Sequence, residues 1–357
     1  MTSEFAQRLA SLRMHALQHL GRDDVRHLLR VHRVSLAFGA AGRLLLLLGF
    51  GPASFVLGTL CVAVYKQLQN AEIGHMALHG VYDRFVELPS FHRAKFYWRA
   101  PIHEESWVRM HNSCHHPFTS VAGKDPDLHF GPVRLCDQTP WAPYHRANVL
   151  LMLAVHGFHM SLTTLYYSGL LHRVWPTGGR DARELRLEKR DLAGTQRGAL
   201  RKLVRHATVE YVALPLLAGP CAGRVLLGNW LSSRLRDAFT STSILVNHVG
   251  AGAARYAETT RAADRSDWYR MQIEASRNLR MPHWLSVLTG GLDCHIEHHL
   301  FPDLPANRLR ELSQQVESLC REHGVTYRKH SWPVALWQAW RELGRLSAAP
   351  RARAAQA

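Results

Sequence analysis

The chain has 357 residues and a formal charge of +16, with 44 Lys and Arg against 28 Asp and Glu spread along its length. Such an excess suits nucleic acid or an anionic lipid face; long apolar stretches and the lack of a nucleic-acid motif predict a lipid bilayer and no nucleic acid as partner. Six cysteines without framework spacing, and no visible signal peptide, argue against a disulfide-stapled secreted domain and for a reduced compartment.

Residues 1–30 carry leucines among Arg, His and Gln and read as a basic interfacial helix or a flexible arm. Leu36–Phe50 is apolar except for Arg43, Gly49-Phe-Gly-Pro52 makes a turn, and Ala53–Leu68 returns. Each stretch is shorter than the ~20 residues of a clean span, so the two read together as a tight hairpin. Its second helix meets no breaker before Leu78, which lifts His75 and His79 just clear of the membrane. Val81–Ala147 is polar, aromatic and basic, as a cytosolic cap would be. Val149–Leu171 is apolar but contains His156 and His159, and His172–Arg205 behind it is rich in Arg and Lys. Positive-inside logic keeps that loop cytoplasmic, so the apolar stretch re-enters or lies in the interface.

Val209–Ala218 and Leu226–Val246 form a second hairpin, turning at Gly219-Pro220. Arg234, Arg236 and Asp237 in its second arm would each cost ~2.5–3.5 kcal/mol at a lipid-facing helix centre. Either they face protein, with Arg234 and Asp237 paired three residues apart, or the arm is only partly immersed. Beyond Gly250 the chain is soluble in character: Trp268–Asn278 reads as helix, Leu309–His323 as a packed amphipathic helix, and Ser347–Ala357 as a disordered end. The fold class expected is all-α integral membrane: two transmembrane hairpins, about four spans, and a helical cytosolic cap. The divisions expected are an arm at 1–30, one large domain at 31–330 and a tail at 331–357.

Histidine is the chemistry-bearing residue. Of 24 histidines, two fall in HMALH (His75, His79), three in HNSCHH (His111, His115, His116) and three in HIEHH (His295, His298, His299), while His248 stands alone in VNHVG. Partners three or four residues apart share one helix face, so each box can aim its imidazoles at a common point. Imidazole is a ligand for iron, copper, zinc and nickel. Eight or nine ligands exceed the needs of one ion and suit two. The remaining histidines, His27, His129 and His156 among them, read as surface or packing residues, and Cys114 and Cys294 as small packing residues beside the boxes.

The order HMALH, HNSCHH, HIEHH with hydrophobic hairpins between them resembles the membrane fatty-acid desaturases. The likeness extends through QNAEIGHMALHGVYD, SWVRMHNSCHHPFTSVAGKDPDLHFG and GGLDCHIEHHLFPDLPANR, covering roughly Val31 to Tyr327. It is nearest to bacterial linoleoyl-CoA/stearoyl-CoA-type and front-end acyl desaturases. The resemblance implies iron ligands at His75, His79, His111, His115, His116, His298 and His299. It implies a further ligand at His248, and one at His295 where this branch carries His or Gln. The cofactor implied is two Fe ions (Fe2+/Fe3+). Ile244 stands where animal acyl-CoA desaturases have Asn, and three residues separate His111 from the doublet. No HPGG haem segment is present, so electrons are expected from a separate protein: a ferredoxin, a cytochrome b5 or a reductase.

The implied chemistry is consistent with these parts. An unactivated methylene has no acidic proton, so oxygen must be reduced at a redox metal. That excludes zinc. Glu72 and Asp127 are the carboxylates expected to orient ligand imidazoles; Asp125, Asp293 and Glu297 are weaker candidates. The substrate expected is a fatty acyl chain linked to coenzyme A, a phospholipid or a carrier protein, in a tunnel for which Trp98, Trp107, Trp268 and Trp284 are candidate walls. The outcome expected is a carbon–carbon double bond, with hydroxylation or acetylenic chemistry on the same scaffold, or a non-enzymatic metal-binding or transport protein, as the alternatives. The location expected is a bacterial inner membrane with the boxes on its cytoplasmic face.

Overall fold

The structure, a computed structural model, describes residues 3–49, 51–128, 131–174, 189–250 and 252–350. It is predominantly helical, with one two-stranded parallel pairing. Helix α1 spans Ser3–Gln18, α2 Arg22–Leu48, α3 Gly51–Leu68, α4 Asn148–Tyr167, α5 Lys189–Thr208 and α6 Ala222–His248. The cap continues with α7 Arg265–Ala275, α8 His295–Leu300, α9 Ala306–Glu322 and α10 Trp332–Ser347. Strands β1 (Asn278–Arg280) and β2 (Lys329–Ser331) pair in the register Asn278↔Lys329.

The first hairpin forms as expected. Gly49, at φ 70°, ends α2 in the left-handed cap position, and α3 begins at once. The helices approach at Gly42 and Gly58, where a Cβ would lie 2.8 Å and 2.9 Å from the partner glycine's carbonyl oxygen. Small residues at such a crossing let the backbones close on each other. α3 then runs without a break through a π-helical stretch, Gln69–His75, into Met76–Leu78.

Among the described residues, two helical stretches are long and apolar enough to cross a membrane, Arg22–Leu48 and Pro143–Tyr167. The second was expected to re-enter or lie in the interface. It is one helix with a kink at Phe158, which has non-helical φ/ψ of −131° and 18°. α6 does not meet the same criterion. Its polar residues turn inward: Arg236 and Arg234 pair with Asp237 at 2.7 Å and 3.4 Å, the latter as the spacing predicted. Nearby, Lys66 of α3 reaches Glu210 at 2.7 Å, the Asn229 carbonyl and the Ser232 and Ser233 hydroxyls. Outward, Leu44, Leu47, Val56, Leu57, Leu60, Leu153, Leu216 and Leu227 are exposed. An apolar belt around a buried polar network is the inversion expected where lipid replaces water.

Residues 1–30, expected as a basic interfacial helix or a flexible arm, hold α1 and the start of α2. α1 docks on the cap with Phe5 and Leu9 fully buried among Tyr269, Ile273, Leu300 and Leu309, and α2 runs across the boundary at 30. In the stretch from 331, expected as a C-terminal tail, α10 buries Ala335, Ala339, Leu343 and Leu346. In α9, Leu309, Leu312, Val316 and Leu319 are buried at helical spacing, each worth ~1.5–3 kcal/mol on full burial. α1 and α9 share one apolar cluster with α8, which carries the third box.

Candidate metal centre

Two of the boxes sit on unusual helix. His75 ends the π-helical stretch Gln69–His75, and His111 and His115 lie in another, Val108–His115. The His116 amide donates to the His111 carbonyl five residues back, at 3.1 Å. That i→i+5 closure widens the helix and brings positions 111, 115 and 116 to bear on the same region. His248 arrives at the last residue of α6, and His295, His298 and His299 on α8. Asn112 donates from its side chain to the Leu78 carbonyl at 2.9 Å, tying the second box to the first. Asn247 donates to the Leu292 carbonyl at 2.9 Å, tying the end of α6 to the third.

All nine predicted ligands meet, in two groups. His75, His79, His111 and His298 present ring nitrogens within 4.8 Å of one another. His116 joins them, its Nε2 3.2 Å from His111 Nε2. In the second group His115, His248 and His299 satisfy the same limit. His295 Nε2 lies 2.7 Å from His248 Nε2 and 3.1 Å from His299 Nε2.

The hydrogen bonds test whether these groups suit a cation. His115 donates through Nδ1 to Asp125 Oδ1 at 2.9 Å. Thr119 gives its hydroxyl proton to the His115 carbonyl, so its oxygen accepts from His299 Nδ1 at 3.0 Å. Both partners hold a proton on Nδ1 and turn Nε2 inward; on His299 this leaves Nε2 a bare lone pair, while on His115 the neighbouring carboxylates favour a second proton there that a metal would have to displace. Burial pushes His75 and His248 down to about 3, and His79, His111, His116, His295, His298 and His299 well below the ordinary imidazole range. Burial also pulls on His115, but the Asp125 and Asp127 carboxylates outweigh it and raise it to about 9. Neutral rings crowding their lone pairs together at 2.7–3.3 Å, shielded from water, repel one another unless a cation lies between. The residues fit a metal at both groups.

Of the two carboxylates expected to support the ligands, one lies with them. Asp127 Oδ2 is 3.6 Å from His115 Nδ1, and the Tyr167 hydroxyl donates to its Oδ1 at 2.6 Å. Glu72 is elsewhere. Its Oε1 takes a bond from His27 Nε2 at 2.7 Å, so His27 is a partner rather than a background residue. The orienting carboxylate is Asp125, for which the sequence offered only its place ten residues after His115. Glu297 lies inside the third box yet faces away, accepting from Asn278 at 2.7 Å and Tyr327 at 2.9 Å. Burial raises it to about 7. Asp293 accepts from Arg310 at 2.6 Å. The expectation for His129 lies outside the described residues.

An apolar cavity of about 120 Å³ opens onto both groups, reaching His75, His111, His248 and His295. At ~10–15 Å³ per water-sized guest it admits on the order of ten heavy atoms. Trp98 and Trp107 form part of its wall, and Trp107 stacks on His111 with centroids 4.2 Å apart. Trp268 instead bonds the Pro117 carbonyl, and Trp284 is exposed. Ile244 lines the cavity in place of an amide.

The family model for fatty acid desaturases matches residues 47–331, which include every one of these histidines. The chain belongs to the fatty acid desaturase family. The NADPH-dependent stearoyl-CoA 9-desaturase of Mycobacterium tuberculosis is 28% identical over 349 residues, covering 96% of this chain and 79% of that protein. The sn-1 linoleoyl-lipid 6-desaturase of Synechocystis is 24% identical over 297 residues, 78% and 77% of the two chains. The Delta(8)-fatty-acid desaturase 1 of Arabidopsis thaliana is 39% identical over 67 residues, 19% and 15%. This desaturase therefore combines the family's histidine clusters with helices of membrane character.

Proposed function

We propose that this desaturase introduces a double bond into a fatty acyl chain with dioxygen as oxidant. Two irons would be held, one by His75, His79, His111, His116 and His298 and the other by His115, His248, His295 and His299. The observation that carries the reading is the pair of buried imidazole clusters facing one apolar cavity. Iron bound there supplies redox chemistry able to activate dioxygen against an unactivated carbon–hydrogen bond. The chain's own residues place the substrate: Met152, Val155, Ile244 and Leu245 enclose it and exclude water, and Trp107 holds it against the His111 side. Asp125, Asp127 and Thr119 keep the imidazoles in the ligating tautomer. The electrons would come from a separate ferredoxin, cytochrome b5 or reductase.

We place the protein in a bacterial inner membrane with about four spans, α2 with α3 and the Val209–Leu217 region with α6. Pro143–Tyr167 would lie against α6, exposing Leu150, Leu153 and Phe158 to lipid. The clusters then face the cytoplasm. Residues 31–330 would form the catalytic domain, with α1 and α10 bracing it. Expression in a host lacking its own desaturases, with electron donors supplied, tests the reading by mass spectrometry of the lipid chains. Acyl chains lighter by two hydrogens, formed only in oxygen, are expected; chains heavier by one oxygen would identify a hydroxylase instead.

A further inference from the structure

Behind the second metal group lie buried cations without the counter-charge that burial demands. Arg277 is fully buried. It donates through Nη1 to the Gln338 side chain of α10 at 2.7 Å, while its Nε and Nη2 have no partner. Both terminal nitrogens of Arg255 are likewise buried and unpartnered. The acids whose charge reaches Arg255 are engaged elsewhere: Asp137 and Glu342 with Arg345, and Asp125 with His115 and the Ser120 amide. A guanidinium taken out of water with its N–H groups unmet is costly, and the cost is removed by an anion.

A third arginine adds to the imbalance. Arg277 and Arg328 immediately precede β1 and β2, and the Asn278 amide donates to the Arg328 carbonyl at 2.8 Å, so the parallel register sets the two side by side. Like charges so placed repel. Arg328 spends one N–H group on the Glu274 carbonyl at 3.2 Å. Burial, and then the fields of Arg328 and Arg255, push the Arg277 guanidinium down to about 10. The segment that wraps these arginines starts at the metal centre, where His248 ends α6. A Cβ at Gly250 would fall 2.9 Å from Arg277 Nη2, and one at Gly252 3.1 Å from Arg328 Nε. Beyond Arg255, the Tyr256 amide donates to the Ser120 carbonyl and the Ala122 amide to the Tyr256 carbonyl, both at 2.9 Å. Ser120 in turn donates to Asp125, the partner of His115.

We propose that Arg255, Arg277 and Arg328 form a binding site for a small inorganic oxyanion, phosphate or sulfate, entered where Gly252 is exposed and Arg328 half-buried. The planar arginine fork matches the paired oxygens of such an anion, and the anion supplies the charge that the surrounding carboxylates do not. Bound there, it fastens the segment from Gly250 to Tyr256 and, through it, both His248 and the Asp125 support of His115. The site itself stands apart from the desaturase reading. Its effect on the second metal group rests on that reading.

The test uses the full-length, iron-loaded protein in detergent micelles, dialysed free of phosphate and sulfate at constant ionic strength, and titrates inorganic phosphate calorimetrically. A single saturable site is expected. Binding should weaken roughly tenfold in Arg255→Gln and in Arg328→Gln, each of which removes charge-assisted hydrogen bonds. These half-buried positions carry the test if Arg277→Gln, at a fully buried one, fails to fold. Arg341→Ala, on the exposed side of α10, should bind phosphate as the unaltered chain does. Phosphate should also raise the melting temperature and slow chelator extraction of the iron held by His115, His248, His295 and His299, and both effects should vanish in Arg328→Gln. Absence of saturable binding, or binding indifferent to Arg255→Gln and Arg328→Gln, overturns the site. Phosphate binding in a chain that holds no second iron would instead refute the metal reading and leave the anion site standing.

Discussion

Replacing Asp125 by Asn tests the support of one metal group with almost no change of shape. Asp125 Oδ1 accepts from His115 Nδ1 and from the Asp127 amide, both at 2.9 Å, and Oδ2 accepts from the Ser120 amide at 2.7 Å. An Asn has one oxygen for these two positions. If the oxygen faces His115, the new NH2 opposes the Ser120 N–H. Ser120 is already held at φ 59°, the one positive value at a non-glycine among the described residues. If the oxygen faces Ser120, the NH2 opposes His115 Nδ1–H and drives the proton to Nε2, which removes the lone pair a metal needs. Loss of such an orienting partner weakens metal binding or activity about 10–100-fold, equivalent to ~1.4–2.7 kcal/mol. Iron analysis across a chelator titration should show the second iron leaving at lower chelator concentration, with turnover falling in parallel. Glu72→Gln, which alters a bond to His27 rather than to a ligand, should retain both irons. Asp125→Asn with unchanged iron retention and turnover would refute the reasoning.

Further expectations concern the ligands, the cavity and pH. His299→Ala and His116→Ala should abolish turnover and lower iron content, His295→Gln should be milder, and His156→Ala, whose ring bonds Ser241 at 2.7 Å outside both groups, should leave iron unchanged; equal iron loss in His156→Ala and His299→Ala would contradict the grouping. Ile244→Phe should narrow the inner cavity and shift product profiles toward shorter chains, and an unaltered chain-length profile would place the substrate elsewhere. Gly290→Ala would put a Cβ 2.5 Å from the Ala71 carbonyl oxygen at a φ of 70°, costing roughly 1–3 kcal/mol. It should lower both the melting temperature and the iron content, because Ala71 belongs to the π-helical stretch that ends at His75. Protons compete with metal for imidazole. Burial holds all five histidines of the first group, His75, His79, His111, His116 and His298, below the ordinary range, whereas His115 of the second is raised to about 9, so on dialysis at falling pH the iron of the first group should be retained at pH 6 and leave after that of the second; loss of both irons with one midpoint near 6.5 would show exposed ligands.

The sequence carried the centre better than its surroundings. Four-residue spacing placed His75 with His79 and His111 with His115, and the lack of a breaker after Leu68 foretold the unbroken helix to Leu78. The π-helical turns were not legible, because i→i+5 bonding leaves no mark on the side-chain pattern that separates it from α-helix. Span count was obscured by α6, whose charges pair with one another and whose Asn229 carbonyl accepts from Lys66 inside the bundle, while those charges lower its apparent hydrophobicity. α1 read as an interfacial helix or an arm because nothing local shows what covers Phe5 and Leu9; their burial depends on Tyr269 and Leu309, far along the chain. The Glu72–His27 bond, 45 residues apart, has the same character: local pattern reports which face is apolar, not which distant element covers it.

The most direct measurement of the central claim is metal analysis combined with Mössbauer spectroscopy on full-length protein purified after growth in iron-57. Nine histidines in two groups predict close to two irons per chain, in two nitrogen-rich environments, with little zinc. One iron per chain, or zinc alone after iron-replete growth, would contradict the two-centre account.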